Sequence, residues 1–357
     1  MSPSSINTNI IITGAGGFIG QALAAALLTD PSSSITTLTL TDIIEPPSPV
    51  LTPSTHTTTT KIRCIKADLT DKKTCDALFT SDLTTVYLLH GLMSGAAEAN
   101  LDLGLRVNVD STRTILDILR KIKPGGIQVI FPSSLAVFGP SSDPTTTTTT
   151  TTHNNNNNQI ITESTIPRPS SSYGAEKLIC EILLSDFSRR GLLDGRIVRL
   201  PTIIVRPGLP SGAASSFCSG IIREPLRGER AELPVSKDLE LWVCSTRTIV
   251  ANLIHTMRFP QEMFKDGSVS RVINLPGITV TVGEMLRALK EVGGESALAL
   301  VEEKRDVDVE RIVGSWPARF DTSKASDFGF LSDGDLKETI RNYIEDYGTS
   351  LVAPPTS

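Results

Sequence analysis

The feature that most restricts how this chain can fold is a glycine cluster set between two kinds of periodicity. Residues 10–13 form a short apolar run suited to a buried strand. The run breaks into Gly14-Ala15-Gly16-Gly17-Phe18-Ile19-Gly20, and residues 18–28 then carry the apolar spacing of a helix until Asp30-Pro31 ends it. Each glycine has a physical use there. Gly14 can make the tight turn off the strand, Gly17 leaves backbone N–H groups open to a pyrophosphate, and Gly20 lets the helix lie close to the sheet. The helix N-terminus adds positive potential at the same place. With a Thr-alternating strand at 35–40 following, strand, turn, helix and strand open a parallel α/β sheet.

The pattern continues down the chain. Strands are predicted at 61–65, 85–89, 127–131 and 195–200, and helices around 76–79, 102–122 and 173–187. In the 102–122 helix, Leu105, Val109, Thr112, Ile115, Leu116 and Leu119 fall near one face, and Gly125-Gly126 stops it. Six strand-helix units in this order predict a doubly wound Rossmann sheet over residues 1–205. After Pro207 shorter pieces alternate, which predicts a smaller C-terminal substrate lobe over 206–350 with some segments returning to the Rossmann domain. Two stretches, 46–60 and 141–160, look inserted. The first is rich in Pro, Ser and Thr; the second holds a threonine run (145–152) and an asparagine run (154–158). Such composition cannot bury apolar area, so both are expected as surface loops, and 351–357 as a frayed tail.

Charge and cysteine usage narrow the function classes. A net charge of −5 gives no basic field for nucleic acid or anionic lipid. No apolar stretch is long enough to span a membrane and no secretory signal is visible, so a cytoplasmic location is expected. The five cysteines and four histidines show no metal-ligand spacing; no metal site is expected, and the thiols read as single buried groups in a reducing compartment.

The chemistry sits at strand ends. Asp42, closing the second strand, can hydrogen-bond both hydroxyls of an adenosine ribose. It would repel a 2′-phosphate, and no Arg or Lys lies between Ile43 and Leu51 to offset that, so NAD is favoured over NADP. Asp68-Leu69, after the third strand, suits an adenine contact or, equally, a cap for a helix beginning near Lys72. Tyr173 and Lys177 stand at i and i+4 on one helix face. A phenol is a poor base at neutral pH; a neighbouring ammonium stabilises its phenolate, and the same Lys can hold ribose hydroxyls. Ser133-Ser134 ends the fifth strand, where a hydroxyl can orient the reacting oxygen beside the Tyr.

Together these residues resemble the extended short-chain dehydrogenase/reductase family, which includes sugar-nucleotide epimerases and dehydratases. The resemblance rests on the glycine turn, Asp42, Asp68, Asn108 within Arg106-Val107-Asn108-Val109, Ser134 ahead of Phe138-Gly139, Tyr173 with Lys177, and Pro201. It implies Ser134, Tyr173, Lys177 and Asn108 as the catalytic set. It implies a cofactor site formed by Gly14, Gly17, Phe18, Ile19, Gly20, Asp42, Asp68, Leu69, Leu89, His90, Gly91, Tyr173, Lys177, Pro201, Thr202 and Ile203. Phe138 stands where the family usually has Tyr, and His90-Gly91 where it usually has Ala-Ala; a structural role is expected for His90. The resemblance also implies a homodimer through the Tyr173 helix and the 102–122 helix.

Three stretches, 94–104, 199–225 and 312–321, look like the D-erythronate dehydrogenase branch of that family. It implies oxidation of the 2-hydroxyl of a small sugar acid to the 2-keto acid. A small hydroxy acid needs a cation for its carboxylate. Arg223 is the first expectation, with Arg247 and Arg206 as alternatives, and Ser94, Ser134, Tyr173, Thr202, Ser216 and Trp242 complete the expected substrate site. The rival readings are a sugar-nucleotide epimerase or dehydratase, and a non-catalytic NAD-binding regulator that would tolerate loss of Tyr173 or Lys177.

Overall fold

A computed structural model describes residues 8–49, 60–140, 160–210, 212–264 and 270–348. The threonine and asparagine runs, most of the 46–60 stretch and the tail therefore lie outside the described residues. The first half of the chain runs β1 (Thr8–Thr13), α1 (Phe18–Thr29), β2 (Ile35–Asp42), β3 (Lys61–Lys66), α2 (Lys72–Leu78), β4 (Thr85–Leu88), α3 (Ser94–Ala99), α4 (Leu101–Gly104), α5 (Ser111–Ile122), β5 (Gln128–Ser134), α6 (Ser172–Arg189) and β6 (Asp194–Leu200). It continues through β7 (Thr202–Ile204), α7 (Ser216–Leu226), β8 (Ala231–Leu233), β9 (Glu240–Ser245), α8 (Thr246–Arg258), β10 (Val272–Asn274), β11 (Ile278–Thr281), α9 (Val282–Leu298), β12 (Val301–Glu303), α10 (Val307–Gly314), α11 (Ser323–Asp327) and α12 (Leu336–Tyr347).

The main sheet is parallel and seven-stranded in the order β10-β6-β5-β4-β1-β2-β3. Its order reverses between β1 and β4, which opens a crevice at their carboxyl ends. The alternation of β1 explains the two layers. Ile10 and Ile12 pack with Leu23 and Leu27 of α1 and with Ile249 and Leu253 of α8. Ile11 packs on the other face with Cys75, Ile115, Leu116 and Leu184 from α2, α5 and α6. A strand buried on both faces reads as an unbroken apolar run.

Two sequence expectations change. Six strands were expected in this sheet; the seventh, β10, is a short piece from the second half of the chain, too brief to show a period. The single helix expected over 102–122 is instead α4, a π-helical turn at Leu105–Asp110, and α5. The wider turn shifts the register, so Leu105 is 36% exposed instead of lying on the buried face.

The C-terminal part has a core of its own, in which Ile221, Ile222 and Leu226 of α7 pack with Met285 and Leu289 of α9 and Ile340 of α12. Two small sheets, β11-β9-β7 and β12-β8, belong to it. α8, β10 and α11 join the core of the main sheet instead. Among the described residues no helix is long and apolar enough to cross a membrane, and the five cysteines are free thiols.

Candidate functional site

A cavity of about 590 Å³ lies at the carboxyl ends of the parallel strands, between the main sheet and the C-terminal part. Its floor is the glycine turn. Gly14 has φ +65, and a Cβ there would stand 2.6 Å from the His90 backbone nitrogen, so no other residue fits. Gly17 begins α1 without a side-chain cap, so the first-turn N–H groups of Phe18, Ile19 and Gly20, all on the cavity wall, have no partner from their own helix. Gly20 lets α1 pack tightly: its Cβ would lie 2.7 Å from Ala15 Cα.

Asp42 is held by two backbone donors. Its Oδ2 accepts from Gly16 N–H at 2.9 Å and its Oδ1 from Ile43 N–H at 2.7 Å. Asp68 also lines the cavity, its Oδ1 accepting from Thr70 N–H and Oγ1. The cap of α2 is Asp71, which accepts from Lys73 and Thr74 N–H, so the capping alternative for Asp68 falls away. Leu69, Leu89, His90, Gly91, Pro201, Thr202 and Ile203 are on the wall as expected.

His90 is locked into the frame. Ser111 Oγ donates to Val107 O and therefore accepts from His90 Nε2 at 2.8 Å, while Nδ1 meets Thr13 Oγ1 at 2.8 Å. Burial, with the Lys177 charge beside it, pushes the imidazole pKa down to about 3. A neutral ring thus ties the end of β1 to the start of α5.

The catalytic candidates converge on the opposite side. Ser134, Tyr173 and Lys177 all line the cavity. Ser134 Oγ accepts from Ala136 N–H at 3.1 Å, which orients the hydroxyl and leaves its proton for a ligand. Ser171 caps α6 through Gly174 N–H and sets Tyr173 in the first turn. Lys177 Nζ donates to Pro132 O at 2.9 Å and lies 5.7 Å from the Tyr173 ring centroid, so its charge is pinned near the phenol.

Five expected site residues stand off the cavity wall. Asn108 is buried behind it. Its Oδ1 accepts from Leu92 N–H at 2.6 Å, and its Nδ2 donates to Leu92 O at 3.1 Å and to Glu176 Oε2 at 2.5 Å. Asn108 therefore positions the loop after β4. Arg223 is buried, its Nη1 donating to Arg206 O and its Nη2 to Glu224, while its Nε has no partner among the described residues. Ser216 is one helical step past Ser215, and it is Ser215 that faces the cavity. Trp242 is buried against Phe320, ring centroids 5.1 Å apart. Arg247 sits on the surface, bound to Glu345 and Asp346.

That wall is made by Arg206, one of the two alternative cations, and by Ala213, Ser215 and Trp316, with Ser94 and Thr202 as anticipated. Ser94 Oγ accepts from Ala214 N–H at 3.1 Å and joins the two sides of the cleft. Among the described residues, the buried Trp316 Nε1 has no hydrogen-bond partner. Trp316 lies inside the 312–321 stretch already singled out, so a signal for it was present.

Comparison with known proteins gives the family. The NAD dependent epimerase/dehydratase family matches residues 10–243. The chain belongs to that family. It is 40% identical to the D-erythronate dehydrogenase of Haemophilus influenzae, over 94% of this chain and 98% of that one. It is likewise 40% identical to the D-erythronate dehydrogenase of Cupriavidus necator, over 95% and 99%. A solved structure described as the nucleoside-diphosphate-sugar epimerase from Agrobacterium tumefaciens superposes with a TM-score of 0.83 at 34% identity, covering 97% of this chain and 96% of that one. The chain is an NAD-dependent oxidoreductase. The cavity fits the cofactor: bare helix N–H groups can face a diphosphate, and a fixed carboxylate at the end of β2 can face a ribose.

Proposed function

We propose that this chain oxidises the 2-hydroxyl of a small sugar acid, D-erythronate or a close analogue, to the 2-keto acid. The observation that carries the reading is the convergence of Ser134, Tyr173 and Lys177 on the cavity that the glycine turn floors. The two D-erythronate dehydrogenases similar over nearly the whole chain support the substrate class. When bound, NAD supplies the hydride acceptor. First-turn N–H groups of α1 would hold its diphosphate, Asp42 its adenosine ribose, and Asp68 its adenine. Lys177, anchored on Pro132 O, would bind the nicotinamide ribose and steadies the Tyr173 phenolate. Tyr173 takes the 2-hydroxyl proton, and Ser134 donates to that oxygen and holds the carbon in line. His90, neutral, braces the site and takes no part in proton transfer.

NADH formation measured against a panel of sugar acids, with UDP-sugars as controls, tests this. Turnover of a four-carbon acid and none of UDP-sugars is expected. Conversion of a UDP-sugar without net NADH would favour the epimerase reading, for which the structural similarity to a nucleoside-diphosphate-sugar epimerase speaks.

The reading includes a homodimer through α4, α5 and α6. Leu101, Leu105, Ile179 and Ile182 on this side are exposed apolar groups, with Ile182 at 63%. Sedimentation as a monomer would remove it. The free thiols suit the cytoplasm.

A further inference from the structure

An enzyme that oxidises a hydroxyl next to a carboxylate must hold that carboxylate within a few ångströms of its base, in a place water has left. A charge there needs an opposite charge with fixed geometry. Among the described lining residues the cationic side chains are Lys177 and Arg206. Lys177 is committed to Pro132 O and lies over the rings of Phe131 and Tyr173.

Arg206 has the build of a ligand reader. Its Nε donates to Ile203 O at 2.9 Å and its Nη2 to Ser215 Oγ at 2.9 Å, which fixes the plane of the guanidinium and, among the described residues, leaves Nη1 for a ligand. Its backbone is clamped from α7: Arg206 N–H donates to Ser219 Oγ at 2.9 Å, and Arg223 Nη1 donates to Arg206 O at 2.8 Å. Arg223, expected from sequence to touch substrate, is thus the strut that holds the reader. Burial draws the Arg206 pKa below its ordinary value, and an anionic Tyr173 is among the groups that oppose this; both side chains line the same cavity.

We propose that Arg206 binds the substrate carboxylate and, by its place on the cavity that Tyr173 also lines, selects acids whose hydroxyl is on the adjacent carbon. This rests on the function proposed above. The competing role is a contact to the cofactor diphosphate, since the guanidinium lies 5.9 Å from the Phe18 ring centroid at the start of α1.

The test compares the wild type with Arg206→Gln and Arg206→Lys. Three quantities are measured: KM for D-erythronate, the dissociation constant of oxalate from the enzyme–NADH complex, and the dissociation constant of NADH. Losing a charge-assisted hydrogen bond predicts that KM and oxalate dissociation rise about 10- to 150-fold in Arg206→Gln. NADH affinity stays within about threefold, a change of under ~0.7 kcal/mol. Arg206→Lys keeps the charge and loses less; it stands in if the Gln variant does not fold. An unchanged KM, or NADH affinity falling in step, overturns the proposal. If the wild type oxidises no sugar acid, the proposed function fails, yet oxalate still tests Arg206. Oxalate that binds wild type and variant alike, or that fails to bind the wild-type complex, overturns it independently.

Discussion

The two walls of the cavity are made differently. The cofactor wall is assembled from strand ends, and each of its residues is placed by its own neighbours: Gly14 by the turn it must make, Asp42 by Ile43 and Gly16 across adjacent strands. The substrate wall is assembled from contacts far apart in sequence. Ser94 meets Ala214, Ser170 meets Ser315, and Arg206 is held by residues of α7. One wall is backbone geometry repeated at every strand; the other is a set of side chains whose direction only tertiary packing decides. Substitutions on the first wall are therefore expected to act on the cofactor or the chemistry. On the second they are expected to divide sharply between residues that face the cavity and those that brace it.

The largest effect falls where the walls meet. Tyr173→Phe removes the proton acceptor and keeps the ring over Lys177, so kcat is expected to fall by about 10²- to 10⁴-fold. NADH affinity, measured by fluorescence titration, should stay close to wild type. A variant that keeps turnover would break the division of labour between the walls.

Next comes the strut on the substrate wall. Arg223 is 2% exposed and paired to Glu224, whose Oε2 has no further partner among the described residues. Arg223→Leu leaves a buried carboxylate uncompensated and is expected to cost about 3–5 kcal/mol of stability, read from denaturant unfolding. KM for the acid should rise less than in Arg206→Gln. The reverse order would make Arg223 the reader and Arg206 the brace.

How much of this could be read beforehand follows the same line. Gly14, Asp42, Tyr173 and Lys177 were legible because each is tied to a strand end or a helical spacing, and the sheet with them. Arg223, Ser216 and Trp242 were suggested by residue type, and the first two lie in a stretch, 199–225, that does reach the cavity. A turn of about 100° per helical residue separates Ser216 from Ser215, and no local pattern says which faces the cavity. Asn108 was expected among the catalytic residues, but it stands behind the wall, where its hydrogen bonds to Leu92 and Glu176 depend on a π-helical turn that breaks the expected period. β10 is three residues long, and its membership of the main sheet is a fact of tertiary pairing.

A smaller effect is expected at the far end of the cofactor wall. Asp42→Ala removes an acceptor that two backbone amides orient. The dissociation constant for NAD should rise about 10- to 100-fold, the range for a hydrogen bond to a charged group. Discrimination against NADP should shrink, since the repulsion of a 2′-phosphate goes with the carboxylate. KM for the sugar acid, measured at saturating NAD, should not move; if it does, the walls are coupled through more than the catalytic residues.

The smallest effect tests that coupling directly. Glu176 lies on α6 between Tyr173 and Lys177 but turns away from the cavity, 1% exposed, with Oε2 accepting from Asn108 and Oε1 without a partner among the described residues. A Cβ on Gly104 would stand 2.3 Å from that Oε1, which leaves no room for a second donor. Burial raises the carboxyl pKa above its ordinary 4.5, and the Asn108 bond and Lys177 charge only partly oppose it. The folded state then binds the proton more tightly than the unfolded state, so this group draws stability down as pH climbs from 4.5 through the raised value. Glu176→Gln keeps the acceptor for Asn108 and drops the charge. Its melting temperature should match wild type in acid and exceed it progressively as pH rises, while kcat/KM stays within about threefold, under ~0.7 kcal/mol. A wild type that is the more stable at neutral pH would mean that Lys177 holds Glu176 as an ion. The two walls would then share one electrostatic unit instead of meeting only at the substrate.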